Sequence, residues 1–484
     1  MKRPAFVVAF IAAGACAHGP PKIEGVAPTP SSQSTLWHPS PSVTDAGQRD
    51  VSGAAVSLGT VRQMTLPEVV DLALRNSPAT RASWTQARAA ADVYGSTEGR
   101  LYPTVTAGVT ANHALTAATP GRAGIERTQY GPSLNLAYTV LDFGGRSGTI
   151  DVARQTAIAA DLTHNATIEN TILLVEGSAF SYLSTRAQRN GQTSTLELAT
   201  QALDVANERH RVGLGTIADV LQAQTARSQA QLELQTLEGA LLVARGSLAV
   251  AMGAPANLPF DIPDVAATDS VHFITQSVDS LINMAVRNRP ELATTRAEAA
   301  AAASQIRVAR SAYLPALALG ATGANNGSNN STFSGRTYSF NLGVQVPVFT
   351  GFSSQYDVAA ASEQYQSALA RGESTKQLVI QQVFTAYYTL RTSTDRVRTS
   401  RDLLASATQS ELVARERYRE GVGSIVDLLV AQSALANARA QEVDARWQWR
   451  TALAQLAHDV GVLNARGDTT FASLTPAPDV RPDK

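Results

Sequence analysis

Cysteine is almost absent from this sequence, which contains only Cys16 among 484 residues. No disulfide can form within one chain, so packing alone must hold the fold together. Beyond its N-terminal stretch the sequence also lacks an uninterrupted apolar run of the ~18 residues that a membrane-spanning helix needs. If this chain enters a membrane, it must do so as strands.

Motifs of enzyme active sites are missing as well. No glycine is followed by lysine, which excludes a Walker-type nucleotide site, and neither His-Glu-x-x-His nor Gly-x-Ser-x-Gly occurs. The seven histidines are dispersed and never fall at ligand spacing on one helix face. We therefore expect no enzyme activity, no cofactor and no metal site.

Charge of one sign is not in excess, because 40 lysines and arginines balance 40 aspartates and glutamates. Such a chain has no basic field for nucleic acid. Helix breakers are unevenly placed: the chain holds 21 prolines, yet none lies within 133–254 or 348–475. Residues 146–212 and 353–420 can therefore each form one helix of about seventy residues, on the order of 100 Å long.

One stretch occurs twice, as His210–Gln224 and again as Tyr418–Gln432, 208 positions later. Each copy holds Gly-x-Gly, then a hydroxyl residue, then an aspartate three residues further on. The paired residues are Gly213 and Gly421, Gly215 and Gly423, Thr216 and Ser424, and Asp219 and Asp427. A phosphate-binding loop would need a third glycine, where Ala218 and Val426 stand. The chain is a tandem duplication, and each copy predicts a tight turn between two helices with a capped second helix.

Strand-like alternation appears once in each half, after Pro103 and after Pro315. The segments are Thr104–Asn112, Leu134–Val140, a weaker one at Leu317–Leu319, and Tyr338–Val346, with polar loops at His113–Gln129 and Gly323–Thr337. One face is apolar and the other polar, which suits either a soluble sandwich or a membrane barrel. Four strands cannot close a barrel, so the membrane interpretation requires several copies of the chain.

The remaining pattern divides the chain into segments. We assign residues 1–15 to a signal peptide, 16–60 to a linker, 61–254 to the first repeat, 255–278 to an equatorial connecting region, 279–462 to the second repeat, and 463–484 to a tail. Val383, Leu390, Val397 and Leu404 recur every seven residues and predict a coiled-coil seam. Ala431, Ala438, Ala445 and Ala452 follow the same interval with less weight, because alanine favours any helix.

Cys16 follows small residues at the end of the apolar N-terminal run. This placement resembles the lipid-attachment cysteine of bacterial lipoproteins. The alternative is ordinary signal-peptide cleavage after Ala15 or Ala17.

These features together resemble the TolC-like outer membrane factor family. The similar features are the duplicated helix start that reads Leu-Pro-Glu-Val-Val-Asp-Leu-Ala-Leu-Arg-Asn-Ser-Pro in the first half, the Tyr/Leu-Pro before each first strand, the Gly-Gly-Arg turn at 144–146 and the twin glycine tips. They cover about residues 62 to 462. The resemblance implies an α+β membrane protein in which a long antiparallel α-helical coiled-coil barrel continues into a transmembrane β-barrel. Four strands per protomer would make twelve in a homotrimer.

The resemblance also implies a function and partners. The chain would be the exit duct of a tripartite efflux system in the outer membrane, with its helices in the periplasm. It would passively conduct drugs or metabolites delivered by an inner membrane pump of the RND or ABC type. Type I protein secretion is the alternative within the family, and a non-conducting periplasmic coiled-coil scaffold is the alternative outside it.

The twin tips would form the closed entrance of this duct and would dock a periplasmic adaptor protein through Gly213, Gly215, Thr216, Gly421, Gly423 and Ser424. Asp219, Asp427 and Tyr418 are the candidate gate. The two aspartates have a second explanation, because the same spacing would make each of them a helix cap.

Overall fold

The structure is a computed structural model that describes residues 62–117, 120–121, 124–263, 276–329 and 334–463. Two long helical hairpins and a four-stranded sheet make up most of this part of the chain. The first half contains β1 (Arg62–Gln63), α1 (Leu66–Asn76), α2 (Pro78–Glu98), β2 (Thr104–Thr116), β3 (Ile125–Leu141), α3 (Gly145–Arg211) and α4 (Ile217–Ala251). The second half contains β4 (Phe260–Asp261), α5 (Val278–Asn288), α6 (Pro290–Ser311), β5 (Ala316–Ser328), β6 (Gly335–Gln345), α7 (Ser353–Arg419) and α8 (Ile425–Val460).

The duplication predicted from the sequence is visible element by element. Helix α3 and helix α7 are each 67 residues long, and no proline interrupts either of them. Proline stands at the first position of α2 and of α6, where its missing N–H is no loss, so the chain stops one helix and starts the next. The two halves thus repeat helix, helix, hairpin, long helix, tip and helix.

The sheet has the order β2–β3–β5–β6 and is antiparallel throughout. Cross-strand partners share a face. One face carries the row Leu136, Ala321 and Phe340 and the row Tyr138, Leu319 and Leu342; the other carries Asn135, Thr322 and Ser339. Phe340 and Leu342 are 82% and 67% exposed, so the apolar face has no cover in a single chain.

Four of the predicted strand limits were wrong. Strand β2 continues to Thr116, β3 begins at Ile125, β5 continues to Ser328 and β6 begins at Gly335, so most of the two segments predicted as loops is strand. Polar residues such as Asn325 pair in the ladder as well as apolar ones do. Hydrogen bonding to neighbouring strands therefore extends the sheet beyond the part that side-chain alternation marks.

The turn that leads into each long helix contains two consecutive residues with left-handed backbone. Phe143 and Gly144 have φ of 49° and 101°, while Gly351 and Phe352 have φ of 63° and 65°. The glycine and the phenylalanine exchange places between the two copies. Positive φ is strained for a bulky side chain. Each turn nevertheless places an exposed phenylalanine ring where the sheet meets the long helix.

The sevenfold seam is confirmed as a buried core. Val383, Leu390 and Val397 are buried, and Leu404 is half-buried. The four alanines at the same interval on α8 are also buried, although their sequence pattern carried less weight. Small residues let α8 approach its neighbours closely, so the alanines belong to the seam as much as the larger residues do.

A two-stranded parallel pair, β1 with β4, lies near mid-length of the helices and was not predicted. Asp261 of β4 accepts a hydrogen bond from Tyr182 Oη at 2.7 Å and pairs with Arg186 of α3 at 2.6 Å. Two residues per strand are too few for a periodic signal in the sequence. Hydropathy along the described helices never stays high for long enough to make any of them a candidate bilayer-spanning helix.

Candidate functional site: the twin helical tips

Each tip is a helix C-terminus closed by the same pair of backbone hydrogen bonds. After α3, Leu214 N donates to Arg209 O at 2.8 Å and Gly213 N donates to His210 O at 3.0 Å. After α7, Val422 and Gly421 repeat both bonds at 2.9 and 3.2 Å. This double closure needs one residue with left-handed backbone, and Gly213 and Gly421 supply it with φ of 76° and 81°.

The second glycine of each tip has a different role, because its φ is ordinary but its space is restricted. A Cβ at position 215 would lie 3.3 Å from Arg209 Cβ, and one at position 423 would lie 3.1 Å from Arg417 Cβ. The chain therefore passes close to the end of the preceding helix. Both glycines of each predicted tip motif thus shape the turn.

Asp219 and Asp427 cap their helices, as the alternative explanation predicted. The carboxylate of Asp219 accepts from Thr216 N at 3.0 Å, and Thr216 Oγ1 accepts from Asp219 N at 3.2 Å. Ser424 and Asp427 form the same reciprocal pair at 3.4 and 3.1 Å. Asp427 is exposed and Asp219 is half-buried at the end of its hairpin, so capping leaves both charges within reach of the space around the tip.

Tyr418 is placed differently from the two aspartates, since its side chain is almost completely buried. It packs with Ile425, Leu428 and alanines of α3 in a small apolar cluster that joins the two tips. Its hydroxyl has no hydrogen-bond partner among the described residues. A cavity of about 380 Å³ lies beside it between α3, α7 and α8. In the single chain Tyr418 therefore packs beneath the surface on which the aspartates stand.

Arg209 connects the two tips, a contact that the sequence pattern did not predict. Its guanidinium donates to Tyr418 O at 2.7 Å and lies over the Tyr418 ring at 5.0 Å from the centroid. A cation over an aromatic face is attracted by the ring quadrupole. One side chain of the first hairpin thus makes two contacts with the second.

A buried polar cluster lies at the other end of α8, near the equatorial pair. Arg289 donates to Gln382 Oε1 at 3.0 Å and pairs with Asp459 Oδ1 at 3.3 Å and with Glu291 Oε2 at 3.0 Å. His458 lies 2.9 Å from Asp459 through Nδ1 and 3.1 Å from Asn170 through Nε2. Arg289, His458 and Asp459 are almost completely buried.

Two glutamates of α3 lie in the same part of the fold. Burial raises the pKa of Glu176 from 4.5 to about 7, and neither of its oxygens has a hydrogen-bond partner among the described residues. Burial also raises the pKa of Glu169 to about 7, while the nearby His458 opposes that shift. The charged form of each side chain is disfavoured because its environment is poor in water.

These tips, the seam and the sheet can be compared with known proteins. A family model described as outer membrane efflux protein matches residues 69–254 and 281–462, one match for each half of the duplication. This chain belongs to the outer membrane efflux protein family. The matched ranges contain the twin tips, both hairpins of the sheet and the four helices that form the long hairpins.

Individual relatives match this chain over most of its length and over most of their own. Protein CyaE of Bordetella pertussis is 29% identical over 401 residues, which are 81% of this chain and 83% of that protein. The pyoverdine export outer membrane protein OpmQ of Pseudomonas aeruginosa is 26% identical and covers 96% of this chain and 97% of its own. The probable efflux pump outer membrane protein TtgC of Pseudomonas putida is 24% identical, and the match covers 72% of this chain and 70% of that protein.

Solved structures share the fold at low identity. A membrane protein from Pseudomonas aeruginosa has a TM-score of 0.74 at 22% identity and covers 82% of this chain and 93% of its own. The outer membrane protein VceC of Vibrio cholerae has a TM-score of 0.72 at 17% identity, and the match covers 82% of this chain and 96% of that protein. The predicted resemblance to TolC-like outer membrane factors is confirmed.

Cys16, the proposed signal peptide and linker, and the predicted C-terminal tail beyond residue 463 lie outside the described residues. Lipid attachment at Cys16 therefore stays a prediction from the sequence.

Proposed function

We propose that this chain is the outer membrane exit channel of a tripartite efflux system. The observation that carries the proposal is the four-stranded sheet, whose uncovered apolar face continues directly into helices of 67 residues. A face with Phe340 and Leu342 exposed suits lipid, while the opposite polar face suits a water-filled lumen. The helices are about 100 Å long, which suits a duct through the periplasm.

Oligomerisation belongs to this proposal, because the outer strands of the described sheet, β2 and β6, are each paired on one side only. An open sheet edge is not tolerated in lipid, so strands of several chains must join into one barrel. We propose a homotrimer with twelve strands. Efflux of small molecules is favoured over protein secretion by the relatives, since OpmQ is named for pyoverdine export and TtgC for an efflux pump.

Partners are proposed for the tips. Leu214 and Val422 stand between the two glycines of each tip and are 71% and 68% exposed. Exposed apolar residues at the end of a helical hairpin favour contact with another protein. We propose that a periplasmic adaptor docks here through the residues around Gly213, Gly215, Thr216, Gly421, Gly423 and Ser424, and that an inner membrane pump supplies the energy.

The experiment that tests this function combines two measurements on the purified full-length protein in detergent. Native mass spectrometry should give three chains per particle, and planar bilayers should show conducting single particles. A folded monomer, or a trimer that never conducts when the adaptor hairpin is added, contradicts the proposal.

We also propose that Asp219 and Asp427 make the entrance cation-preferring. Threefold symmetry gathers three copies of each carboxylate at a narrow opening, where the charges reinforce one another. Replacing both by asparagine keeps a side-chain oxygen for the cap but removes the charge. We expect the cation-to-anion permeability ratio to fall by about twofold or more.

The matched control is Asp279→Asn, since Asp279 also lies in the first turn of a helix but far along the chain from either tip. It should leave the permeability ratio unchanged. Wild-type selectivity in the Asp219→Asn, Asp427→Asn double variant would show that both aspartates act only as caps.

Cys16 is proposed as a lipid anchor, on the small residues that precede it in the sequence. Metabolic labelling with a palmitate analogue should mark the wild type but not Cys16→Ser. Equal labelling of both proteins, or of neither, would contradict the anchor.

A further inference from the structure

The contact between the two tips within one chain is one-sided. Helix α3 contributes Arg209, which reaches Tyr418, and the carbonyl of Leu198, which accepts from Gln432 Nε2 at 3.3 Å. The second hairpin contributes Tyr418, Ile425 and Gln432, all of them buried by this contact. We call the α3 side the donor face, after the arginine that donates from it, and the second-hairpin side the acceptor face, after the Tyr418 carbonyl that accepts.

The first hairpin carries its own copy of the acceptor face, and that copy is uncovered. Positions 208 residues before Tyr418, Ile425 and Gln432 hold His210, Ile217 and Gln224. All three are exposed, and Ile217 is 56% exposed where Ile425 is 3% exposed. The same residue type at the same place in the repeat is thus buried in one hairpin and left open in the other.

The second hairpin carries an uncovered copy of the donor face. Leu198 and Arg209 correspond to Ser406 and Arg417 on α7, and both of these are exposed. Each arginine makes the same local bond, from Arg209 to Leu214 O and from Arg417 to Val422 O, at 3.4 Å in both cases. Within the part of the chain that the structure describes, Arg209 reaches the other tip and Arg417 does not.

We infer that the uncovered donor face on α7 packs against the uncovered acceptor face of a second copy of this chain. Arg417 then donates to the carbonyl of His210 in the neighbouring copy, and Gln224 of that copy donates to the carbonyl at Ser406. The inference rests on the proposed trimeric channel and names the residues of its subunit contact.

Two properties of the faces favour a second copy as the occupant. The uncovered acceptor face lies on α3 and α4 and the uncovered donor face lies on α7, and neither α3 nor α4 packs extensively against α7 within one chain. Each chain therefore offers one donor face and one acceptor face that it cannot satisfy itself. A head-to-tail contact of this kind generates a closed ring when the rotation closes.

Paired cysteine substitutions test the contact in the full-length trimer. Ser406→Cys with Gln224→Cys places one thiol on each uncovered face, and a short bis-maleimide should then link most chains into dimers and trimers on a denaturing gel. Leu198→Cys with Gln432→Cys is the matched control within one chain, which should react without forming a ladder. Ser406→Cys with Gln432→Cys, which combines a free face with a covered one, should form no ladder.

The parent protein, which keeps Cys16, gives the background of the reagent. The inference would be overturned if the mixed pair formed the same ladder as the Ser406→Cys, Gln224→Cys pair. It would also be overturned if the Ser406→Cys, Gln224→Cys protein formed no ladder although native mass spectrometry shows it to be trimeric. A monomer in native mass spectrometry would overturn the proposed function as well. The internal control reports correct folding of the tips in each case.

A second measurement follows from the arginine. Arg417→Ala should destabilise the trimer and leave the link within the chain intact, whereas Arg209→Ala should do the reverse. We expect the trimer of Arg417→Ala to dissociate at a lower detergent concentration than that of Arg209→Ala. The opposite order would contradict the assignment of Arg417 to the subunit contact.

Discussion

Replacing Arg289 by methionine should lower the free energy of unfolding by about 3 kcal/mol, because it removes one partner of a buried ion pair. Methionine keeps most of the volume of the side chain but none of its donors. Asp459, which is almost completely buried, then keeps His458 and Gln455 as its partners among the described residues. The measurement is denaturant unfolding followed by the helical signal, with the midpoint compared at constant slope.

The matched control is Arg75→Met. It breaks an exposed ion pair in which Arg75 Nη2 lies 2.9 Å from Asp71 Oδ2. An exposed pair of this kind contributes about 1 kcal/mol or less. Combining Arg289→Met with Asp459→Asn should cost less than the sum of the two single changes, because the second change removes the unpaired charge. Equal losses for Arg289→Met and Arg75→Met would show that burial of the cluster does not strengthen it.

Replacing Glu176 by glutamine should raise stability in alkaline solution by about 3 kcal/mol and leave it unchanged near pH 4. The folded-state pKa of about 7 lies above the unfolded value of 4.5, so the folded state binds the extra proton between those pH values. The stability that this proton confers is fully present below pH 4.5 and is lost as the pH rises through 7. Glutamine resembles the protonated acid and cannot lose that proton.

Denaturant midpoints at pH 5, 7 and 8.5 measure this effect, and the gap between variant and wild type should widen with pH. Part of the wild-type pH dependence should remain in the variant, because Glu169 titrates in the same window. Glu363→Gln changes an exposed glutamate on α7 and should have no such effect. A gap for Glu176→Gln that stays constant from pH 5 to 8.5 would contradict an unpartnered, buried acid at this position.

Local sequence was sufficient for the helices and the tips. The two 67-residue helices follow from the absence of proline, and the tips follow from a glycine, a hydroxyl and an aspartate within seven positions of one another. The backbone and capping hydrogen bonds that form each turn join residues close in sequence, so the signal and the structure occupy the same stretch. The repeat then confirmed each assignment by a second occurrence.

The cross-chain features could not be predicted in the same way. Arg209 bonds to Tyr418, 209 positions away, and nothing near Arg209 distinguishes it from Arg417. The polar cluster escapes the repeat altogether, because Arg289, His458 and Asp459 correspond to Ser77, Val250 and Ala251 in the first half. A comparison between the halves therefore indicates no pattern there, and only the packing of α3, α6, α7 and α8 brings these side chains together.

The two arginines of the tips, identical in sequence and different in reach, have a consequence for how such a duct evolves. In a ring built from six identical hairpins, every contact between neighbours would be the same, and any mutation would change all six at once. Fusion of two hairpins into one gene makes alternate contacts independent: Tyr418 faces Arg209 within the chain, and in the proposed trimer His210 would face Arg417 of a neighbouring copy. Selection can then weaken the three contacts between subunits while keeping the three contacts within subunits strong. The ring of tips would then open between subunits before it opens within them.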